Sequence, residues 1–177
     1  MALFGQKRGL DMKIFLGADH AGFELKEKLK GWLGTMKKYQ VFDLGNTRYE
    51  PNDDYPDFAY KVAKAVAKTP GSFGILVCGS AEGICIAANK VNGVRAVAPP
   101  SVVAAKLTRK HNDANILCLA GGGLLKKVRG LGIKLAKAKR IVSAWLSTPF
   151  SEEPRHVRRL KKISEIEEKE KVGKWKK

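Results

Sequence analysis

The chain has 177 residues, 44% of them hydrophobic and 29% charged, which fits one globular domain and excludes collagen-like and largely disordered classes. No apolar run reaches the ~18–20 residues of a membrane span, and the first eleven residues lack the features of a secretory signal. The net charge is +17. Such a field attracts phosphorylated metabolites, nucleic acid or acidic lipid surfaces, and charge alone does not choose among them.

Apolar runs alternate with helical patterns along the chain. Five runs predict buried strands, at residues 12–18, 39–44, 73–78, 94–98 and 115–119. Apolar residues at helical spacing predict helices at residues 22–33, 55–68, 81–90, 99–110, 124–146 and 154–171, with an interruption of the fifth near Gly130 and Gly132. Residues 45–56, rich in Asn, Asp, Pro and Gly, predict a loop. Pro99 occupies a favoured position at the start of the fourth helix.

Strands that are apolar throughout and alternate with helices predict a parallel sheet covered on both faces. The sequence therefore predicts one α/β domain at residues 12–150, with a three-layer α/β/α architecture and an open, Rossmann-like, five-stranded sheet. Residues 1–11 are interpreted as an N-terminal extension. Ligands of such sheets bind beyond the carboxyl ends of the strands, which directs attention to the residues that follow each strand.

The distribution of charge and the number of cysteines indicate a basic C-terminal region and a reducing environment. Residues 126–177 carry 17 Lys or Arg and 6 Asp or Glu, a net of +11, so residues 151–177 are interpreted as a basic C-terminal helix and tail. Three cysteines, an odd number, form no disulfide framework and favour a reducing cytoplasm. Packing is the simpler interpretation of Cys85 and Cys118, since one falls within a predicted helix and the other within a strand.

Two strand ends carry candidate site residues. The first strand ends at Asp19 and His20, which are placed to meet a polar ligand, although Asp19 could equally cap the next helix. The third ends at Cys78, followed by small residues that let the backbone approach a ligand. These residues are Gly79, Ser80, Ala81, Glu82 and Gly83. The turn is not a Walker A loop, because Gly-Lys-Ser/Thr is missing.

Cys78 is a candidate nucleophile or base. A nearby helix N-terminus lowers the pKa of a thiol, so we expect a useful thiolate fraction at neutral pH. Packing in the core is the alternative.

Two further segments offer polar groups of other kinds. His111 can donate or accept a proton near neutral pH, and Asn112 offers an amide donor, although both could simply belong to a helix-terminating turn. Arg155 and Arg159 are four residues apart and share a helix face. Two guanidinium groups on one face make a good phosphate clamp, and a solvated helix face is the alternative.

Together and in this order, several stretches resemble the type B ribose-5-phosphate isomerases, the family that also holds allose-6-phosphate isomerase and the subunits of galactose-6-phosphate isomerase. The stretches are GADHAGFELK, DYPDFAYKVA, GILVCGSAEGICIAANKVNGVRA, RKHNDANILCL and the late RH-x-x-R. The resemblance covers about residues 12–160. As a set these motifs are highly specific, although each alone is modest.

The resemblance implies an aldose–ketose isomerase that interconverts ribose 5-phosphate and ribulose 5-phosphate through a cis-enediolate, without a metal or cofactor. Cys78 would be the base and His111 the acid/base that opens the sugar ring. Asp19 and His20 would contact the substrate, residues 79–83 with Asn112 would stabilise the enediolate, and Arg155 and Arg159 would bind the phosphate of a neighbouring subunit. A homodimer, or a tetramer of paired dimers, is implied, with the C-terminal helix at its interface.

Three other classes stay open at this point. One is an isomerase of a six-carbon sugar phosphate, such as allose 6-phosphate or galactose 6-phosphate. Another is a non-catalytic subunit of such an enzyme, against which the presence of both Cys78 and His111 argues. The third is a nucleic-acid binder, which the charge suggests but the aromatic content of 8% and the lack of a recognised motif disfavour.

The chain departs from the family pattern at two places. Gly122 stands where the family usually carries a phosphate-binding arginine, and we expect Lys126, Lys127 or Arg129 to substitute for it. Ala81 and Glu82 stand where glycine and an uncharged residue are common. A carboxylate near an anion site is unfavourable unless it faces solvent or pairs with a lysine. The glutamate base of some family members would fall at Ile84, so Cys78 is kept as the base.

Overall fold

The structure, a computed structural model, describes residues 12–122 and 132–172. Its strands are β1 (Met12–Ala18), β2 (Tyr39–Asp43), β3 (Phe73–Cys78), β4 (Ala96–Val97) and β5 (Ile116–Ala120). Its helices are α1 (Phe23–Gly34), α2 (Tyr55–Lys68), α3 (Glu82–Ala88), α4 (Val102–Asn112), α5 (Leu135–Leu146) and α6 (Pro154–Val172). The strands form one parallel sheet in the order β2-β1-β3-β5-β4.

Helices cover both faces of the sheet, which confirms the predicted three-layer, Rossmann-like fold. Side chains of a strand alternate between the two faces. In β3, Ile75 and Val77 pack with α1, α4 and α5, whereas Leu76 and Cys78 pack with α2 and α3. Each helix presents apolar residues at helical spacing, such as Leu25, Leu29 and Leu33 of α1. The apolar side chains of the strands and those of the helices are therefore both buried, as their patterns in the sequence predict.

The order of the strands places the crevice in which ligands of such folds bind. From β1 the chain passes to β2 on one side, and β3 lies on the other side of β1. The strand order therefore reverses between β1 and β3, and ligands bind beyond the carboxyl ends of the strands at such a point. The segments that follow β1 and β3 are those that the sequence singled out.

The start of the fourth helix differs from the prediction. This helix begins at Val102, and the Ser101 hydroxyl accepts a hydrogen bond from the Ala104 N–H at 3.1 Å. Pro99 does not begin it, because a residue followed by proline is disfavoured in the helical region.

The predicted fifth helix can be compared only in part, since residues 123–131 lie outside the described residues. Gly132 is not helical, which agrees with the predicted interruption. The Ile133 N–H donates to the Ala120 carbonyl at 2.8 Å, and α5 begins at Leu135.

The C-terminal helix α6 packs on its own chain at the amino ends of the strands. The Ser151 N–H, just before α6, donates to the Lys110 carbonyl at the end of α4 (3.1 Å). Farther along α6, the Glu167 carboxylate accepts a hydrogen bond from the Gly93 N–H at 3.0 Å. Within residues 12–122 and 132–172, none of the helices is long and apolar enough to cross a membrane.

Candidate active site

The carboxyl edge of the sheet brings the ends of β1 and β3 together. At Gly22, a Cβ atom would lie 2.2 Å from the Val77 carbonyl oxygen, so only glycine lets the start of α1 approach β3 this closely. The Asp19 carboxylate accepts a hydrogen bond from the Gly22 N–H at 2.9 Å. Asp19 therefore stabilises the turn before α1. The interpretation of Asp19 as the helix N-cap was wrong, since that position is held by Gly22. The Asp19 carboxyl group is buried near Cys78.

His20 is oriented by a carboxylate that the sequence analysis did not single out. Asp53 Oδ1 lies 2.8 Å from His20 Nδ1 and accepts the His20 backbone N–H at 2.8 Å. The Asn46 side-chain amide also donates to Asp53, and the Tyr49 ring lies edge-on to the imidazole. Burial lowers the His20 pKa, but the Asp53 hydrogen bond and the charges of Asp19 and Asp53 outweigh it and raise that pKa above its ordinary value.

Cys78 lies at the end of β3 with 4% of its surface exposed. The backbone N–H groups of Ile84, Ala81 and Ser80 face its thiol and act to lower its pKa. Burial nevertheless raises the Cys78 pKa above its ordinary value, and the nearby Asp19 carboxylate adds to the effect. The expectation of a lowered pKa was therefore wrong for this structure, because desolvation of the thiolate exceeds the stabilisation by the amides.

The turn after Cys78 has an unusual backbone. Ala81 adopts a left-handed conformation with φ of 77°, which an L residue rarely takes. Gly83 lies against the Tyr55 ring, where a Cβ atom would come within 2.8 Å of the ring carbon Cζ. Glu82 is exposed to solvent. A carboxylate near an anion site is tolerated when it faces solvent, and Glu82 does so.

We expect Ala81→Gly to raise the free energy of unfolding by roughly 0.5–1 kcal/mol. Left-handed backbone costs an L residue roughly 1–2 kcal/mol, and the greater freedom of glycine in the unfolded chain cancels about 0.4–1 kcal/mol of the gain. Chemical denaturation of the two proteins measures the difference. Ala87→Gly, within α3, is the control and should destabilise by about 1 kcal/mol. A lower free energy of unfolding for Ala81→Gly than for the wild type would contradict the claim that the left-handed conformation of Ala81 is strained.

Gly122 joins the ends of β5 and β3. Its φ is 76°, its N–H donates to the Gly79 carbonyl at 3.1 Å, and the Gly121 N–H donates to the Cys78 carbonyl at 2.7 Å. A cavity of about 420 Å³ next to this junction is lined in part by Ser80, Lys134 and Lys137. The proposed substitutes Lys126, Lys127 and Arg129 lie outside the described residues.

A second group of predicted residues lies at the opposite, amino edge of the sheet. His111 and Asn112 are the last two residues of α4. The His111 ring lies 4.4 Å, centroid to centroid, from the buried His156 ring of α6, whose Nδ1 is 2.7 Å from Ser151 Oγ. Two arginines, Arg155 and Arg159, flank His156 in the first turns of α6, both exposed.

The two groups cannot meet within one chain. The pairing of Gly74 with Ile116 marks the amino end of the β3–β5 ladder, and that of Cys78 with Ala120 marks its carboxyl end. These ends are about 13 Å apart for four residues of strand, and His111 lies beyond the amino end. The implied roles of Cys78 and His111 require both side chains to contact one sugar molecule, and that arrangement is therefore not met inside a single chain.

The predicted site thus divides into a carboxyl-edge group and an amino-edge group. The carboxyl-edge group contains Asp19, His20, Cys78 and residues 79–83, together with the newly found Asp53. The amino-edge group contains His111, Asn112, Arg155 and Arg159. The first includes several carboxylates and the second includes cationic side chains, so their charges are complementary. Among the described residues, no three His, Cys, Asp or Glu side chains are grouped to hold a metal ion.

The fold is that of an α/β protein with polar groups at the carboxyl edge of its sheet, where small ligands bind, and comparison with known sequences identifies its family. The sequence model of the family described as Ribose/Galactose Isomerase matches residues 14–163. The chain belongs to this family, which confirms the resemblance drawn from its motifs.

Individual relatives are similar over nearly the whole chain. Ribose-5-phosphate isomerase B of Mycobacterium tuberculosis is 40% identical over 156 residues, which cover 88% of this chain and 90% of the relative. The crystal structure of ribose-5-phosphate isomerase B from Mycoplasma genitalium with bound ribulose-5-phosphate has 39% identity and a TM-score of 0.80, covering 90% and 98% of the two chains. The type B enzyme of Trypanosoma cruzi has 37% identity and a TM-score of 0.80, covering 91% and 99%.

Proposed function

We propose that the protein interconverts D-ribose 5-phosphate and D-ribulose 5-phosphate. The observation that carries this proposal is the Cys78 thiol, which faces backbone N–H groups of the following turn at the point where the strand order reverses. Asp19 and the Asp53-oriented His20 line the same edge. Relatives that cover most of the chain are named for this reaction.

Cys78 is the base in the proposed reaction. Its thiolate removes the proton from C2 of the open-chain aldose, the electrons pass to the carbonyl oxygen at C1, and a cis-enediolate forms. Return of that proton to C1, with transfer of the C2 hydroxyl proton to the oxygen at C1, gives the ketose. No net oxidant or reductant is needed. Backbone N–H groups of residues 79–83 stabilise the developing charge, and losing one such donor costs about 3–4 kcal/mol.

His20 and Asp53 have an orienting role in this scheme. The hydrogen bond to Asp53 fixes the His20 ring, and the raised pKa keeps more of the imidazole protonated near neutral pH. A protonated ring donates hydrogen bonds from both nitrogens. With Nδ1 bound to Asp53, Nε2 is the atom that contacts a substrate hydroxyl or the enediolate.

A complete site needs two copies of the chain. The amino-edge group of one copy supplies His111, Asn112, Arg155 and Arg159, and the carboxyl-edge group of the other supplies the base. His111 then opens the ring, Asn112 helps to stabilise the enediolate, and the arginines bind the phosphate. In a two-fold dimer the same contact occurs twice, so each dimer holds two sites. The complementary charges of the two groups support this arrangement.

A six-carbon sugar phosphate is the second candidate substrate. The matched family is described by both ribose and galactose isomerases, and Gly122 leaves the family arginine's place without a side chain. The cavity of about 420 Å³ next to it offers room for one more hydroxymethyl group. Discrimination of this kind is worth about 1–3 kcal/mol, so kinetics must decide between the sugars.

An isomerase assay tests the proposal directly. We expect kcat/KM to be highest for ribose 5-phosphate in a panel that includes allose 6-phosphate and galactose 6-phosphate, and to be unchanged by a chelator. A clear preference for a six-carbon substrate would favour the second candidate. Lack of turnover of every aldose phosphate in the panel would contradict both.

A further inference from the structure

A guanidinium group holds the turn that carries His111 and Asn112. Arg95 precedes β4, and its Nε donates to the carbonyls of Asn112 and Asp113, both at 3.0 Å. The same guanidinium donates through NH2 to the Asp113 carbonyl at 2.8 Å and to Asp113 Oδ2 at 2.9 Å. All these contacts go to the end of α4.

Arg95 is fixed in turn by its own backbone. Its N–H donates to Asn115 Oδ1 at 2.8 Å, and its carbonyl accepts the Asn115 N–H at 3.2 Å. The Asn115 side-chain amide donates to the Gly93 carbonyl at 2.8 Å. The segment before β4 and the segment before β5 are therefore joined directly behind the turn.

A second arginine completes the arrangement. Arg109 NH1 donates to Asp113 Oδ1 at 2.6 Å and to the Ala114 carbonyl at 2.8 Å. Arg109 is 7% exposed and lies over the Phe73 ring. Each oxygen of the Asp113 carboxylate thus meets a different guanidinium group, and such charge-assisted bonds are stronger and more directional than neutral ones.

The conformation of Asp113 shows why this arrangement concerns more than the end of a helix. Asp113 has φ of 44°, a left-handed conformation that helices commonly assign to glycine at this position. Glycine would adopt it with less strain but would have no carboxylate for Arg95 and Arg109. Arg95 keeps 26% of its side chain exposed, so its contacts serve the turn rather than the hydrophobic core.

We propose that Arg95 is a positioning residue for the isomerase reaction, which sets the direction of His111 and Asn112 by holding the carbonyls and carboxylate of the turn after them. The inference rests on the proposed function, since the positioned residues are those that the second copy's site requires. Lysine cannot replace it, because an ammonium group lacks the planar fork that reaches two carbonyls and a carboxylate together.

The His111→Asn background separates positioning from simple stability. Ribose 5-phosphate enters as a closed ring, and the ring-opening role of His111 serves that substrate. If Arg95 acts by orienting His111, an Arg95 substitution lowers the rate while His111 is present and adds little to the loss in a His111→Asn protein, as for two members of one network. Partial unfolding instead lowers the rate by the same factor in both backgrounds and lowers Tm.

The experiment compares Arg95→Lys, Asp113→Asn, their double variant, His111→Asn and the combination of Arg95→Lys with His111→Asn, with Arg140→Lys as the control, since Arg140 is an exposed arginine of α5. We expect Arg95→Lys to lower kcat for ribose 5-phosphate by roughly 10- to 100-fold, the range for a misplaced group, with KM little changed, and to lower the residual rate of His111→Asn little further. Asp113→Asn should act alike, and the double variant should be no worse than the worse single one, as in a shared network. Arg140→Lys should resemble the wild type.

Two outcomes would overturn the inference without touching the proposed function. One is an Arg95→Lys protein as active as the active wild type. The other is the same fold-loss on Arg95→Lys in the wild-type and the His111→Asn backgrounds together with a lowered Tm, which would give Arg95 a structural role alone. A wild-type protein that fails to turn over ribose 5-phosphate would instead remove the proposed function.

Discussion

Replacing Cys78 by serine will lower kcat for ribose 5-phosphate by about 10³- to 10⁴-fold, the upper range for loss of a positioned base, and will leave Tm within a few degrees of the wild type. Serine has nearly the same shape and accepts the same backbone N–H groups, but its hydroxyl is far harder to ionise. A coupled assay and thermal unfolding measure the two quantities.

The wild type provides a second readout of the same role. Because burial raises the Cys78 pKa, most of the thiol is protonated at neutral pH, and the thiolate fraction grows as pH rises. We therefore expect kcat/KM to increase from pH 7 to pH 9. Cys85→Ala is the matched control, since Cys85 lies farther along α3, and should keep nearly full activity. A Cys78→Ser protein with a tenth or more of the wild-type rate would exclude Cys78 as the base.

Mixing two inactive variants will restore activity. Cys78→Ser removes the base and His111→Asn removes the ring-opening group, so each homodimer lacks one function in both of its sites. A mixed dimer contains one site with both substitutions and one with neither. After random exchange of subunits half of the dimers are mixed, so about a quarter of the wild-type rate should return if the site is shared across a two-fold axis.

Co-expression of the two variants with different affinity tags isolates the mixed dimer. We expect this dimer to have about half of the wild-type activity, because one of its two symmetry-related sites is intact. The matched control is a dimer in which one copy carries both substitutions and the other carries neither. This dimer also contains one Cys78→Ser and one His111→Asn substitution. One of its sites lacks the Cys78 thiol and the other lacks the His111 ring, so it should be nearly inactive. Equal activity of the two mixed dimers would contradict a shared site.

Much of the molecule follows from local patterns in the chain. The continuous apolar strands and the helical stripes predict a parallel sheet with two covered faces, since each pattern has only one way to bury its apolar side chains. The rule that ligands bind beyond the carboxyl ends of such strands then leads to Asp19, His20 and Cys78. These three side chains lie close together because the two strands that they follow, β1 and β3, are neighbours in the sheet.

Other features depend on contacts between distant segments. Asp53 reaches His20 from 33 residues away, and the composition of the loop after β2 gives no sign of which carboxylate will do so. The pKa of Cys78 was predicted in the wrong direction, because a helix N-terminus can be recognised in a sequence whereas the degree of burial that opposes it cannot.

By itself the sequence determined the fold class, the family and the identity of the polar groups, because these depend on residue types and on short-range periodicity. Only the tertiary structure decided which of those groups share an edge of the sheet. A helix between parallel strands runs back against them, so the end of α4 carries His111 to the edge opposite Cys78. The separation of the two by the length of the strands is therefore a property of the packed layers, and it is the physical reason why we propose a site shared between two copies.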